Sequence, residues 1–260
     1  MGKKRFFDDR LKYLSFIQNT SEKRAISEQL APHIASMEQN RTFLRVLDAG
    51  TGDGTVKSNV IKTFHKYHPY TSLLITGKEI SYEDLKNTLE KMPDRFVEHP
   101  NLLVTMTNVK FAELGHIESS NKIKGKNVKS YNLVLKHDNS FDFHAQINKL
   151  NSFIKKNWGI EIDNKSRTSY ANPCIIRIYR EDHKRYIEPF IDNDYKNNNY
   201  DLIIASQAYR AASEVRTKVN NVIAPLMRLL NKSGKLLVTH SCGGDTVEKI
   251  LKVAWKDKKP

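Results

Sequence analysis

The chain has 260 residues, 39% of them hydrophobic, and a formal charge of +14. That length and apolar share support one sizeable core or a core carrying an elaborate insertion. Two distant cysteines, Cys174 and Cys242, exclude a disulfide framework and a four-thiol metal site, and they fit a reducing compartment.

In chain order, residues 6–37 are predicted as helices. DDRLKYLSFIQ spaces Leu11, Leu14, Phe16 and Ile17 helically, and TSEKRAISEQLAPHIASM opens on a Ser/Thr cap followed by acids. LRVLDAG is a buried strand, and a helix over 55–67 follows the glycines and stops before Pro69. SLLITGKEI is a second strand. SYEDLKNTLEKM is a helix with Ser81 and Asp84 as a capping box, ended by Pro93. NLLVTMTNV is a third strand. Far downstream, YDLIIASQAY is a fourth strand, VRTKVNNVIAPLMRLL a helix, GKLLVTHS a fifth strand and DTVEKILKVAW a helix. Apolar strands alternating with helices predict an α/β fold with a mostly parallel sheet covered on both faces. Residues 111–199 exceed what a crossover needs. They hold their own strand YNLVLKH, helix FHAQINKLNSFIKKNW and strand PCIIRIYREDH, which predicts an inserted α+β subdomain lying over the strand ends.

Ligands of open parallel sheets bind outside the carboxyl ends of the strands. Gly50, Gly52 and Gly54 stand at that end of the first strand, where missing β-carbons let a ligand lie against the backbone near a helix amino end. Their G-x-G-x-G spacing is neither the dinucleotide fingerprint nor a P-loop. Glu79, at the end of the second strand, can accept from both hydroxyls of a ribose. Asn108 ends the third strand, where an amide reads an adenine edge. Ser206, Gln207 and Tyr209 end the fourth strand and face whatever lies over the glycines.

VLDAGTGDGT, KEIS, TNV, DLIIASQAY and LLNKSGKLLVTHS, in that order, resemble the motifs of class I S-adenosylmethionine-dependent methyltransferases. The resemblance covers about residues 45–108 and 200–241. It implies a Rossmann-like core over 41–110 and 200–260, with an amino-terminal helical lid over 1–40 and the insertion 111–199 as substrate subdomain. It implies S-adenosyl-L-methionine as cofactor, with Asp48, Gly50, Gly52 and Gly54 along its methionine end, Glu79 on the ribose and Asn108 near the adenine. Gln207 and Tyr209 fall where the family faces the transferable methyl. The helix KYLSFIQNTSEKRAISEQL and the SQAY pattern bear a fainter likeness to histamine-type small-amine methyltransferases. The family's final edge hairpin has no counterpart here, and an exposed edge invites pairing with a second copy.

Methyl transfer is an in-line displacement in which the protein positions a nucleophile, with a base where the acceptor is an amine or imidazole. Residues of suitable chemistry are Tyr13, His137, Asp138, Tyr179, Glu181, His183, Gln207, Tyr209 and His240, with Gln207, Tyr209 and His183 the foremost catalytic candidates. In IYREDH, Arg180 could grip an anionic group as a substrate clamp, or simply begin a salt-bridged helix. His65 and His68 lack a third ligand and read as surface residues, the cluster HDNSFDFH reads as loop polarity, and THSCGGD reads as a helix cap; no metal site is expected.

The expected function is methyl transfer to a small-molecule amine, imidazole or carboxylate. One alternative is a nucleic-acid or protein methyltransferase using the basic surface. Against it, lysine and asparagine rather than arginine dominate, as an A/T-rich coding sequence would give. SQAY also stands where base-amino methyltransferases carry an Asp/Asn-Pro-Pro-aromatic motif. The other alternative is a non-catalytic cofactor-binding module. MGKKRFFDDR lacks the apolar region of a signal peptide and has Phe6 where myristoylation needs Ser or Thr, and no apolar run reaches membrane length. The expected location is therefore cytoplasmic, with no membrane partner.

Overall fold

A computed structural model describes residues 21–38, 41–117, 121–162, 168–191, 199–209 and 214–239. Five parallel strands form the body of the sheet: β1 (Phe43–Ala49), β2 (Ser72–Lys78), β3 (Leu102–Thr107), β10 (Tyr200–Ser206) and β11 (Leu230–Thr239). Their spatial order, β11-β10-β1-β2-β3, sends the chain one way from β1 and then back past it to β10. That reversal is the switch point of a doubly wound, Rossmann-like sheet. Alternation along β1 divides the core. Leu44 and Val46 face α1 (Glu22–Ala35) and α2 (Thr55–Tyr67), while Leu47 and Ala49 face the 3-10 helix Phe111–His116 and the helical stretch 215–227. Phe64, Phe96, Leu73 and Val104 are fully buried in the first layer. Among the described residues no helix is long and apolar enough to cross a membrane, and β11 is the sheet's edge on its side.

The long segment between β3 and β10 departs from expectation. Its strands β6 (Lys129–Leu135) and β9 (Cys174–Arg180) do not lie over the carboxyl ends; they continue the sheet beyond β3, giving seven strands in the order β11-β10-β1-β2-β3-β9-β6. β9 is antiparallel to β3 and β6 is parallel to β9, so both finish at the amino ends of the parallel strands. The reason is their apolarity: Ile176, Ile178 and Leu133 complete the core beside Val104 and Met106, burial that an overlying lid would not provide. Two short hairpins, β4 (Lys122–Ile123) with β5 (Lys126–Asn127) and β7 (Ile160–Ile162) with β8 (Thr168–Tyr170), complete this segment.

Helix boundaries differ where local chemistry intervenes. Pro93 does not merely stop α3 (Tyr82–Glu90); it opens α4 (Pro93–Glu98) at the position where its missing N–H costs nothing. The helix expected over 143–158 is two, α5 (Ser140–Ile147) and α6 (Leu150–Asn157). After α7 (Val215–Lys218), the stretch Val219–Ile223 is a π-turn ahead of α8 (Ala224–Met227). Pro225 supplies no N–H to the helix ladder and crowds the preceding turn, which favours the wider winding.

At the amino ends, four histidines stand close together. His99 is fully buried, with Nε2 on the Thr71 carbonyl at 3.1 Å and Nδ1 3.2 Å from Nδ1 of His65. His68, expected at the surface, is buried against the Ile34 carbonyl at 2.8 Å, because the last turn of α2 packs on α1. His183 Nδ1 meets Asn101 Oδ1 at 2.6 Å. Burial, with His65 alongside, pushes the His99 imidazole down from an ordinary 6.5 to about 4. The unfolded chain then takes up a proton that the native state refuses. The stability present above pH 6.5 is lost as pH falls toward 4, by about 3 kcal/mol. Because Asp48, held near 6, gains stability over the same range, the fall is read as a difference: the parent's urea midpoint relative to that of His99→Asn should decrease from pH 7 to 4.5. A difference that stays constant over that range would assign the effect elsewhere.

Candidate functional site

The glycine loop follows β1 at the switch point. Gly50, Gly52 and Gly54 have φ of 116°, 56° and 78°, a region that disfavours every residue with a β-carbon. Their surroundings separate their roles. A β-carbon on Gly50 would sit at ordinary contact distance, 3.5 Å, from the Ala208 Cα, so it is the backbone φ of 116° that favours glycine where the loops after β1 and β10 meet. One on Gly54 would lie 2.7 Å from both the Thr88 Cα and Oγ1, so this glycine lets α3 pack on the loop. One on Gly52 meets nothing within 4 Å: that face of the loop is open.

The loop is firmly tethered. Thr51 N–H donates to the Lys78 carbonyl at 3.0 Å, and Thr88 Oγ1 donates to the Gly52 carbonyl at 3.0 Å. Asp53 accepts from Thr55 N–H and Oγ1, both at 3.0 Å, and pairs with Lys23 of α1 at 2.6 Å. Burial raises its carboxyl, but the Lys23 hydrogen bond, with Thr55 and Lys91, outweighs this and holds it below its ordinary value. The side-chain amide of Gln207 donates to the Glu22 carboxylate. The first turn of α1 therefore bridges the glycine loop and the end of β10.

Asp48 is 2% exposed, and its Oδ2 has no hydrogen-bond partner among the described residues. Burial pushes its carboxyl up to about 6, with the Lys57 charge pulling the other way. Lys57 went unremarked in the sequence, although the signal was there: it shares the buried helix face of Val60, Ile61 and Phe64 at offsets of about three, four and seven residues. Its Nζ donates to the Met106 Sδ at 3.1 Å beneath the loop, and burial lowers its ammonium to about 8.

Glu79 faces the loop as expected, but its carboxylate is already heavily used. Oε2 accepts from Gly52 N–H at 2.8 Å; Oε1 accepts from Ile80 and Ser81 N–H at 2.7 and 2.8 Å. A carboxylate offers about four acceptor positions, so one remains on Oε2, enough for one ribose hydroxyl rather than both. Ser81 Oγ caps α3 through Asp84 N–H at 3.2 Å, while its own N–H goes to Glu79 and not to the expected capping-box partner.

Asn108 is differently employed from expectation. Its amide donates to the Asn172 carbonyl at 2.9 Å and accepts from Cys174 N–H at 2.8 Å, pinning the start of β9. These two bonds occupy one of its two amide hydrogens and one of its two acceptor lone pairs, with the insertion joined to the sheet beside it. Ser206 Oγ accepts from Thr239 Oγ1 at 3.3 Å, and Gln207 adopts φ 49° with its N–H on the Thr239 carbonyl at 3.0 Å. Tyr209 is half-buried beside Ala208, with Lys218 Nζ 5.3 Å from its ring centroid. These three stand beside the glycine loop.

His183 does not. It follows β9, which ends at the amino edge of the sheet, and it binds Asn101 just before β3. The strand direction carries Tyr179, Glu181, His137 and Asp138 to that same far edge. Arg180 is no substrate clamp: it donates to the Phe96 carbonyl at 3.2 Å and pairs with Asp182. His137 and Asp138 precede α5, whereas Asp142 and His144 lie within it and His144 pairs with Glu90 at 2.7 Å, so this cluster is a capped helix start and not the expected loop. Tyr13, His240 and THSCGGD from His240 onward lie outside the described residues. Among the described residues no group of three or more metal-type ligands converges.

At this site the orphaned buried oxygen of Asp48 suits a cationic donor such as an ammonium, and the open face of Gly52 admits a close approach to the backbone. Compared with known proteins, the chain matches no protein-family model and no curated protein.

Proposed function

We propose that this chain is an S-adenosylmethionine-dependent methyltransferase acting on a small-molecule nucleophile. One observation carries the reading. At the switch point between β1 and β10, the open left-handed Gly52 donates its N–H to the tethered Glu79 at 2.8 Å and follows, four residues on, the buried Asp48, whose Oδ2 has no hydrogen-bond partner among the described residues. Phosphate ligands would be repelled by these carboxylates; a ligand carrying an ammonium and a ribose is not.

When bound, the cofactor supplies an electrophilic sulfonium methyl. Asp48 accepts from its ammonium, Gly52 admits it to the backbone, and the remaining position on Glu79 Oε2 accepts from a ribose hydroxyl. Gln207 and Tyr209 orient the acceptor beside the loop, with Ser206 behind them. The bridge that Glu22 and Lys23 make between loop and β10 narrows the mouth, which favours a small acceptor. The formal charge of +14 is what supports an extended acidic acceptor as the second reading.

Incubation of the protein with methyl-labelled cofactor and separated metabolite, RNA and protein pools tests the reading. Label in the metabolite pool is the expected result. Label confined to RNA or protein supports the second reading, and no label in any pool counts against both.

A further inference from the structure

Gly77, like Gly54, serves the packing of this chain and not a ligand. It lies within β2, where a β-carbon would collide with Lys57 Nζ and would come 2.6 Å from Thr51 Oγ1 and 2.8 Å from Met106 Sδ. An interior glycine in a strand marks a close approach, and here the approaching group is an ammonium. Lys57 is 0% exposed and its Nζ has a thioether as its hydrogen-bond partner. A buried cation with so weak a partner is costly unless an opposite charge lies near. Asp48 stands directly opposite Gly77 in the β1–β2 register, beside the position Lys57 Nζ occupies, and so supplies that charge, each group acting on the other through the protein interior. The carboxylate thus has a nearby cation yet keeps Oδ2 without a hydrogen bond, under the open loop.

Resting on the methyltransferase reading, we infer that Lys57 is a positioning residue: its buried ammonium, admitted by Gly77, keeps Asp48 ionised so that the free Oδ2 can accept from the ammonium of an S-adenosyl ligand. The other charges around Asp48 oppose or dilute this role. Glu79 from β2 and Asp53 from the loop both favour its protonated form, Lys78 adjoins Glu79, and Lys23 of α1 and Lys91 after α3 are spent on Asp53. Thr51 favours the ionised form from within the loop. Lys57 is the cation acting directly on Asp48 in this balance.

Calorimetric titration with S-adenosylhomocysteine from pH 5 to 9 tests the inference. For the unmutated protein, affinity should fall below about pH 6. Lys57→Met keeps the volume and removes the charge. Its fall should move upward by a unit or more, so that affinity at pH 7 drops at least about twofold and recovers by pH 9. Asp48→Asn should bind weakly with no such dependence. A Lys57→Met profile that keeps the original midpoint, even if uniformly weaker, overturns the inference alone; absence of binding by the unmutated protein overturns the methyltransferase reading with it. A ligand-free readout stands beside this. The stability of Lys57→Met relative to the parent should decline from pH 5 to 8, because the unbalanced Asp48 carboxylate must then ionise in the interior, and a pH-independent difference contradicts the coupling. Should Lys57→Met fail to fold, Gly77→Ala displaces the ammonium without deleting it and should shift the binding midpoint the same way; an unshifted midpoint there overturns the inference.

Discussion

Gly52→Trp is expected to leave the protein folded while abolishing its affinity for S-adenosylhomocysteine, whereas the far smaller Gly54→Ala should damage the fold. The contrast follows from what surrounds each position. At Gly52 an added β-carbon meets nothing within 4 Å, so the cost is the left-handed backbone alone, about 1–2 kcal/mol. An indole there fills the space the ligand needs, and binding should weaken at least about a hundredfold, some 2.7 kcal/mol. At Gly54 the same backbone cost is joined by overlap with the Thr88 Cα at 2.7 Å and Cβ at 2.9 Å, neither of which is a flexible tip. Overpacking of this kind adds about 1–3 kcal/mol, giving a total of about 2–5 kcal/mol. Against a typical stability of about 5–15 kcal/mol, that is enough to lower the melting temperature by many degrees. Thermal melts and calorimetry on the two variants check both halves. Undiminished binding by Gly52→Trp would mean that the loop's open face is not where the ligand lies.

Glu79→Ala should do both kinds of harm. The carboxylate gathers the N–H groups of Gly52, Ile80 and Ser81, and so ties the glycine loop to the end of β2. Hydrogen bonds to a charged acceptor are each worth about 1.5–3 kcal/mol, but the loop can recruit water where the site opens. The expected net loss is about 2–4 kcal/mol of stability, together with the ribose contact and roughly a hundredfold in affinity. Glu79→Gln offers one acceptor oxygen, so it should keep part of the tether and fall between parent and Ala in both measurements. A Glu79→Ala protein as stable as the parent would contradict the tether; one that binds undiminished would remove Glu79 from the ligand.

The parallel core was legible because its strands are apolar on both faces and are punctuated by glycine, proline and capping residues. LRVLDAG, SLLITGK and NLLVTMT could hardly be anything but covered strands, and the glycine loop fell where β1 ends. What local pattern does not carry is the direction in which a later strand joins. PCIIRIYREDH reads equally well in either direction, and its antiparallel pairing with β3 moved His183 to the far end of the sheet and drew Asn108 into pinning the start of β9. Lys57 is the opposite case. Its helix face was readable from the spacing of Val60, Ile61 and Phe64, yet a lysine is ordinarily assigned to solvent, and only the glycine facing it in β2 explains how its ammonium is accommodated. The π-turn before Pro225 and the break between Ile147 and Leu150 are settled by the ladder of backbone hydrogen bonds, which a hydrophobic period does not describe.

The central claim is that the glycine loop with Asp48 and Glu79 receives an S-adenosyl ligand. Its most direct test is calorimetric titration of the unmutated protein with S-adenosylhomocysteine at pH 7.5, with Gly52→Trp as control. Saturable one-to-one binding with a Kd on the order of 1 μM, about −8 kcal/mol, lost in the control, is the predicted result. No binding by a demonstrably folded parent at millimolar ligand, or equal binding by parent and control, would contradict it.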